Sequence, residues 1–164
     1  MKIIFAGEGG QGVQVIAEIL AKAAFWDGQP SLYIPNFGVE QRGGVSLAFV
    51  VIDQTPIAYP KFEHADLAAI FSDRSYQRVK SHLDAKTKII LSPAMTKTIK
   101  GAIKLPAQDL PNRSWNILIL GEINRQGKLV STKNLIKAME ERFTRQYAKN
   151  PALQQINLKA LNYA

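Results

Sequence analysis

The chain has 164 residues, 46% apolar and 21% charged, the size and balance of one packed domain rather than of a disordered segment. It has no cysteine and only two histidines, His64 and His82. That excludes disulfides, thiolate zinc sites, a cysteine nucleophile and any cysteine-held iron–sulfur cluster on this chain, and it argues against a histidine-rich metal site.

The net charge of +8 is unevenly spread: residues 1–73 carry four basic and eight acidic side chains, 74–104 eight basic and one acidic, and 125–164 eight basic and two acidic. Such an excess serves solubility or meets an acidic partner. The basic stretches lack interleaved aromatics and carry no nucleic-acid-binding motif, which argues against nucleic acid as that partner. No stretch of about 18 consecutive apolar residues is present to span a membrane. The first apolar run is too short for a signal peptide, so the expected address is the cytoplasm.

Residues 2–7, KIIFAG, form a short β-branched and aromatic run ending in glycine, as a buried parallel strand does. Val13, Ile16, Ala17, Leu20, Ala23 and Ala24 then recur at helical spacing, and the helix is expected to end near Gly28. Residues 30–35, PSLYIP, read as the next strand, which completes a βαβ unit with a right-handed crossover. A polar glycine-rich loop leads to a third strand, VSLAFVVID, buried on both faces. Residues 54–62 are turn-like, with room for a short edge strand. ADLAAIFS (65–72) is the next strand, and Ser72 or Asp73 caps a helix through 74–83. TKIILSP (87–93) is a further strand and GAIKLPA (101–107) a short one at the edge.

At the C-terminus, Ser131 or Thr132 caps a helix with Leu135, Ala138, Met139 and Phe143 on one face. Asn150 and Pro151 open another, with Leu153, Ile156, Ala160 and Leu161 inward. SWNILILGEI (114–123) is ambiguous: propensity favours a strand, whereas its length and Gly127 fit a buried helix. Strands alternating with helices, without repeats, predict one α/β domain over 1–164 with an open, mostly parallel sheet and helices on both faces.

Gly7, Gly9 and Gly12 fit G-x-G-x-x-G between the first strand and the first helix. Such a loop turns tightly, lets backbone N–H groups approach an oxygen, and aims a helix N-terminus at an anion. Gly10 adds freedom, and the Gln11 amide is a further donor. A bare close crossing of helix and strand would leave the same pattern. The nicotinamide version needs an acid at the end of the second strand to hold the ribose; here that strand ends YIPNFG, and Asp27 lies before it. No G-K-[ST] follows, so this is not an ATP-type loop.

The second loop supplies Asn36, Gln41 and Arg42 as polar groups and Gly38, Gly43 and Gly44 as accessible backbone. It emerges at the carboxyl ends of the strands, where such sheets bind ligands, and Arg42 is a permanent cation suited to a phosphate or carboxylate. An ordinary surface turn with Arg42 paired to Glu40 is the alternative. Glu8, Glu40 and the two histidines show no paired acid–base arrangement, so no catalytic residue and no metal ligand is assigned.

Taken together, FAGEGGQGV (5–13), PNFGVEQRGGVS (35–46), ILILGEI (117–123) and NLKAL (157–161) resemble the gamma subunit of 2-oxoacid:ferredoxin oxidoreductases across nearly the whole chain. The second motif of that family often reads S-Y-G-x-E-x-R-G-G; here Asn36 and Phe37 replace the serine and tyrosine, while Gly38, Glu40, Arg42, Gly43 and Gly44 match.

The resemblance implies a Rossmann-like domain with 114–123 as a buried helix. It implies a holoenzyme that converts a 2-oxoacid and coenzyme A to acyl-CoA and carbon dioxide, with electrons passed to ferredoxin. Thiamine diphosphate, magnesium and iron–sulfur clusters belong to sibling subunits, and the isolated chain is expected to be inactive. Coenzyme A is the anion expected at Gly7, Gly9, Gly10, Gln11, Gly12, Asn36, Gly38, Gln41, Arg42, Gly43 and Gly44. The expected partners are the alpha and beta subunits, with a delta subunit as a further candidate. The alternative is a free-standing nucleotide-binding regulatory module.

Overall fold

The structure, a computed structural model, describes residues 1–37, 43–106 and 109–163. Six strands form one sheet: β1 (Lys2–Glu8), β2 (Ser31–Phe37), β3 (Val45–Ile52), β4 (Leu67–Ile70), β5 (Lys88–Leu91) and β6 (Ile103–Lys104), in the spatial order β2-β3-β1-β4-β5-β6. β1, β4, β5 and β6 pair in parallel, and β3 is antiparallel to both of its neighbours. Five of the six strands therefore share one direction, which bears out the open, mostly parallel α/β sheet.

The first βαβ expectation is met only in direction. β1 and β2 run the same way, but β3 lies between them. β3 pairs antiparallel with β2 and fills the gap that the crossover left. β2 thereby becomes an edge strand. The Pro30 carbonyl accepts from Asp53 N–H at 3.0 Å, so Pro35 falls in the outward register, where a missing N–H breaks no ladder bond.

Alternation along β1 divides the interior. Ile3 and Phe5 face the larger cluster and Ile4 and Ala6 the smaller, all fully buried; each isoleucine or phenylalanine contributes about 1.5–3 kcal/mol. The larger face is covered by α1 (Val13–Trp26), α3 (Trp115–Gly127), α4 (Thr132–Lys149) and α5 (Pro151–Leu161). The other is covered by α2 (Asp73–Val79), with Phe62 and Met95 from the connections. No strand forms over 54–62.

The ambiguous stretch is helical. Ile117, Leu118, Ile119, Leu120 and Ile123 are all fully buried, so its β-propensity is overridden by packing on nearly every side. A Cβ on Gly121 would stand 2.3 Å from the Leu161 carbonyl oxygen, which marks a close crossing of α3 and α5. The left-handed position at the end of α3 falls on Lys128 (φ 49°), not on Gly127; Gly127 instead makes room for the side chains of Leu129 and Leu67.

Two polar side chains, Glu122 and Asn157, are also inside. Glu122 is buried and accepts from Arg125 at 2.6 and 2.8 Å and from Gln126 at 2.8 Å. Asn157 takes the inward place on α5 and donates to the Tyr147 hydroxyl at 2.9 Å, while Leu153 and Ile156 are half-buried.

Ser72 caps α2 in a reciprocal box with Ser75, and Ser131 caps α4. Asp27, at the end of α1, accepts from the Ser131 N–H and hydroxyl and from the Asn134 amide. Burial alone would raise its carboxyl pKa, but these bonds outweigh burial and hold it below the ordinary 3.8. Asp27 is thus a structural tie at the end of the sheet away from the glycine loops.

Candidate functional site, the glycine rim

β1 delivers Gly7 to the carboxyl edge of the sheet, and the chain turns through Gly9, Gly10 and Gln11 into α1. Gly12 adopts φ 78°, ψ 19°, a left-handed conformation costly for any residue with a Cβ. A Cβ there would also lie 2.3 Å from Asn116 Nδ2, so the start of α3 abuts the loop. At Gly7 it would lie 2.6 Å from Val13 Cγ2 and 3.1 Å from Phe71 Cβ. These glycines are spaces that neighbouring side chains occupy.

The loop closes on itself. Gln11 N–H donates to the Glu8 carbonyl at 3.1 Å, and Gln11 Oε1 accepts from Glu8 N–H at 2.8 Å. The Gln11 side chain therefore shapes the turn through its oxygen, and its amide nitrogen is the end that has hydrogens to offer a ligand. Among the described residues no side chain caps α1, so its first-turn N–H groups and its positive dipole end are available to an anion. Nothing lies within 4 Å of where a Cβ on Gly10 would stand. An uncapped helix start beside open, side-chain-free backbone fits a phosphate.

The second glycine pair sits against the first loop. The β1–β3 ladder pairs Gly7 with Ser46 and Glu8 with Val45, and it continues one step further, with Gly9 N–H donating to the Gly44 carbonyl at 3.0 Å. Arg74, in the first turn of α2, donates from Nη1 to the Gly43 carbonyl at 3.0 Å. Asn36 lies exposed near the end of β2, two strands from β1. Gly38, Gln41 and Arg42 lie outside the described residues. The structure thus brings together Gly7, Gly9, Gly10, Gln11, Gly12, Gly43 and Gly44 and leaves Asn36 at the margin.

Arg74, Asn116, Gln14, Tyr33 and Ser46 were not singled out from the sequence. Each lies on an ordinary helix or strand and joins the rim only through strand order and helix packing. Of the acid–base candidates, Glu40 lies outside the described residues, and His82 contacts the Glu63 carbonyl at 2.9 Å and packs edge-on against Phe49 and Phe62. No cluster of three or more histidine, aspartate or glutamate residues able to hold a metal ion occurs among the described residues. Nor is any helix of the described residues long and apolar enough to cross a membrane.

Residues 2–164 match the family model described as pyruvate ferredoxin/flavodoxin oxidoreductase. The pyruvate synthase subunit PorC of Methanothermobacter marburgensis is 34% identical over 154 residues, 87% of this chain and 86% of that one. The keto/oxoacid ferredoxin oxidoreductase gamma subunit from Geobacter sulfurreducens superposes with a TM-score of 0.75 at 22% identity, over 99% of both chains. The 2-oxoglutarate:ferredoxin oxidoreductase from Magnetococcus marinus, with 2-oxoglutarate, coenzyme A and succinyl-CoA bound, superposes with a TM-score of 0.86 at 20% identity. That match covers 99% of this chain and 30% of the other, so the present fold corresponds to under a third of that longer polypeptide. The two superpositions establish the fold, and the sequence matches establish kinship. The chain belongs to the pyruvate ferredoxin/flavodoxin oxidoreductase family.

Proposed function

We propose that this chain is the gamma-type subunit of a 2-oxoacid:ferredoxin oxidoreductase and that its glycine rim holds the phosphates of coenzyme A. The holoenzyme converts a 2-oxoacid and coenzyme A to acyl-CoA and carbon dioxide. Coenzyme A supplies the thiol that accepts the acyl group. This chain contributes binding and assembly rather than a reacting group. The cysteine-free sequence means that any cysteine-held cluster sits on another chain. Thiamine diphosphate, magnesium, the alpha, beta and delta partners, the contact with ferredoxin and the cytoplasmic address belong to the same reading.

One observation carries the ligand assignment: the bond from Gly9 N–H to the Gly44 carbonyl joins the two glycine motifs beside an uncapped helix start. A longer polypeptide that contains this fold, the 2-oxoglutarate:ferredoxin oxidoreductase, has coenzyme A bound. Backbone amides at the head of α1 meet the phosphate oxygens, Gln11 offers its amide, and Arg42 supplies the permanent cation for a bidentate grip.

The test is kinetic, on the assembled enzyme. Arg42→Ala is expected to raise KM for coenzyme A about tenfold while KM for the 2-oxoacid stays within about twofold. Equal effects on both substrates would overturn the coenzyme assignment. Gentle affinity purification should bring down sibling oxidoreductase subunits. A chain that elutes alone and binds NAD or ADP by calorimetry would favour the free-standing nucleotide module.

A further inference from the structure

A single amide links three elements just behind the rim. Gln14, in the first turn of α1, accepts from the Tyr33 hydroxyl on β2 at 2.7 Å through Oε1. Its Nε2 donates to Ser46 Oγ and to the Leu47 carbonyl on β3, both at 2.8 Å. Gln14 and Tyr33 are half-buried and Ser46 is buried. The chemistry of the partners fixes the orientation of the amide. A carbonyl only accepts, so nitrogen must face Leu47, and oxygen is left for the phenol. Burial pushes the Tyr33 hydroxyl above its ordinary 10.0, with the charge of Glu18 adding to it, which keeps it a donor.

Ser46 and Leu47 directly follow Gly44 and Val45. The second glycine pair is therefore held from three sides: Gly9 N–H on the Gly44 carbonyl, Arg74 on the Gly43 carbonyl, and Gln14 on Ser46 and Leu47 of the strand that begins directly after the pair. Of these, only Gln14 also belongs to the helix whose N-terminus faces the anion.

We propose that Gln14 is a positioning residue. Its side chain sets Gly43–Gly44 against the head of α1, so that the two loops present one continuous anion-facing rim, without Gln14 touching the ligand. The role assigned to that rim rests on the coenzyme A reading above; the clasp itself does not. A glutamine that merely satisfied buried partners would leave coenzyme use untouched when replaced by a residue of similar volume. A glutamine that sets the rim would not.

The experiment uses the assembled oxidoreductase carrying Gln14→Leu, which keeps the bulk but removes both donor and acceptor. Backbone amide exchange at residues 44–47 is expected to quicken about tenfold, while exchange at 67–70 in β4 is unchanged. KM for coenzyme A is expected to rise about tenfold, with kcat and KM for the 2-oxoacid within about twofold. Gln14→Glu keeps the acceptor for Tyr33 but turns a carboxylate oxygen toward the Leu47 carbonyl, so it should behave like leucine. Tyr33→Phe removes one bond and should shift the same two readouts in the same direction by about threefold. If Gln14→Leu fails to assemble, Tyr33→Phe and Ser46→Ala carry the test. Unchanged exchange at 44–47 in every variant that assembles overturns the proposal, as does an equal rise in KM for both substrates. Faster exchange with unaltered coenzyme A kinetics overturns the positioning role where Arg42→Ala raises KM for coenzyme A, and overturns the coenzyme A reading where Arg42→Ala also leaves that KM unchanged, so the two failures are distinguishable.

Discussion

The first glycine loop is shaped by what packs against it, the second by what reaches across to it. Gly7 and Gly12 leave space that Val13, Phe71 and Asn116 fill to within contact distance, and Gln11 closes the turn from inside. Gly43 and Gly44 are located by bonds from Gly9, Arg74 and, through Ser46 and Leu47, Gln14. A loop made by close packing resists change but tolerates no added atom. A loop made by borrowed hydrogen bonds accepts substitution and gives way locally. A rim with one wall of each kind keeps the helix dipole rigid and leaves the facing glycine pair adjustable.

The two loops differ most at Gly12. Gly12→Ala adds a Cβ 2.3 Å from Asn116 Nδ2 at a left-handed backbone position, and it should cost about 3 kcal/mol in urea unfolding. Gly7→Ala keeps an ordinary backbone conformation but presses Val13 and Phe71, and about 2 kcal/mol is expected in the same measurement.

On the other wall, Arg74→Met removes one bond to the Gly43 carbonyl from an exposed side chain. Global stability should change by about 0.5 kcal/mol or less, while amide exchange at Gly44 and Val45 quickens. A loss as large as that at Gly12 would show that the second loop is also a packed structure.

The smallest effect on the rim is expected from the far end of α1. The Asp27 carboxyl lies below its ordinary value when folded, so its stabilisation is complete above about pH 4 and is lost as pH falls through the folded value. Asp27→Asn should flatten that acid limb in thermal unfolding from pH 5 downward to about pH 2 and leave KM for coenzyme A at neutral pH unchanged.

Much of the fold can be read from local patterns. The apolar runs of β1, β3, β4 and β5 and the caps at Ser72 and Ser131 lie where short-range chemistry puts them. The stretch 114–123 could not be settled that way. A helix buried on nearly every side loses its polar face, and with it the period that distinguishes helix from strand. The candidate site divides along the same line. Gly7, Gly9 and Gly12 declare themselves by spacing, whereas Gln14, Tyr33 and Arg74 carry no signal, being ordinary polar residues on a helix or strand.

By itself the sequence determined the α/β alternation, the glycine turn at the head of α1, and the absence of cysteine that keeps any cysteine-held cluster off this chain, because each follows from local conformational preference or from composition. Only the tertiary structure decided that β3 enters the sheet beside β1 and antiparallel to it. In that arrangement paired residue numbers fall on one strand as they rise on the other, so Gly9 must meet Gly44. Two motifs far apart along the chain become one rim because hydrogen-bond register, a property of the sheet and not of either segment, zips them together.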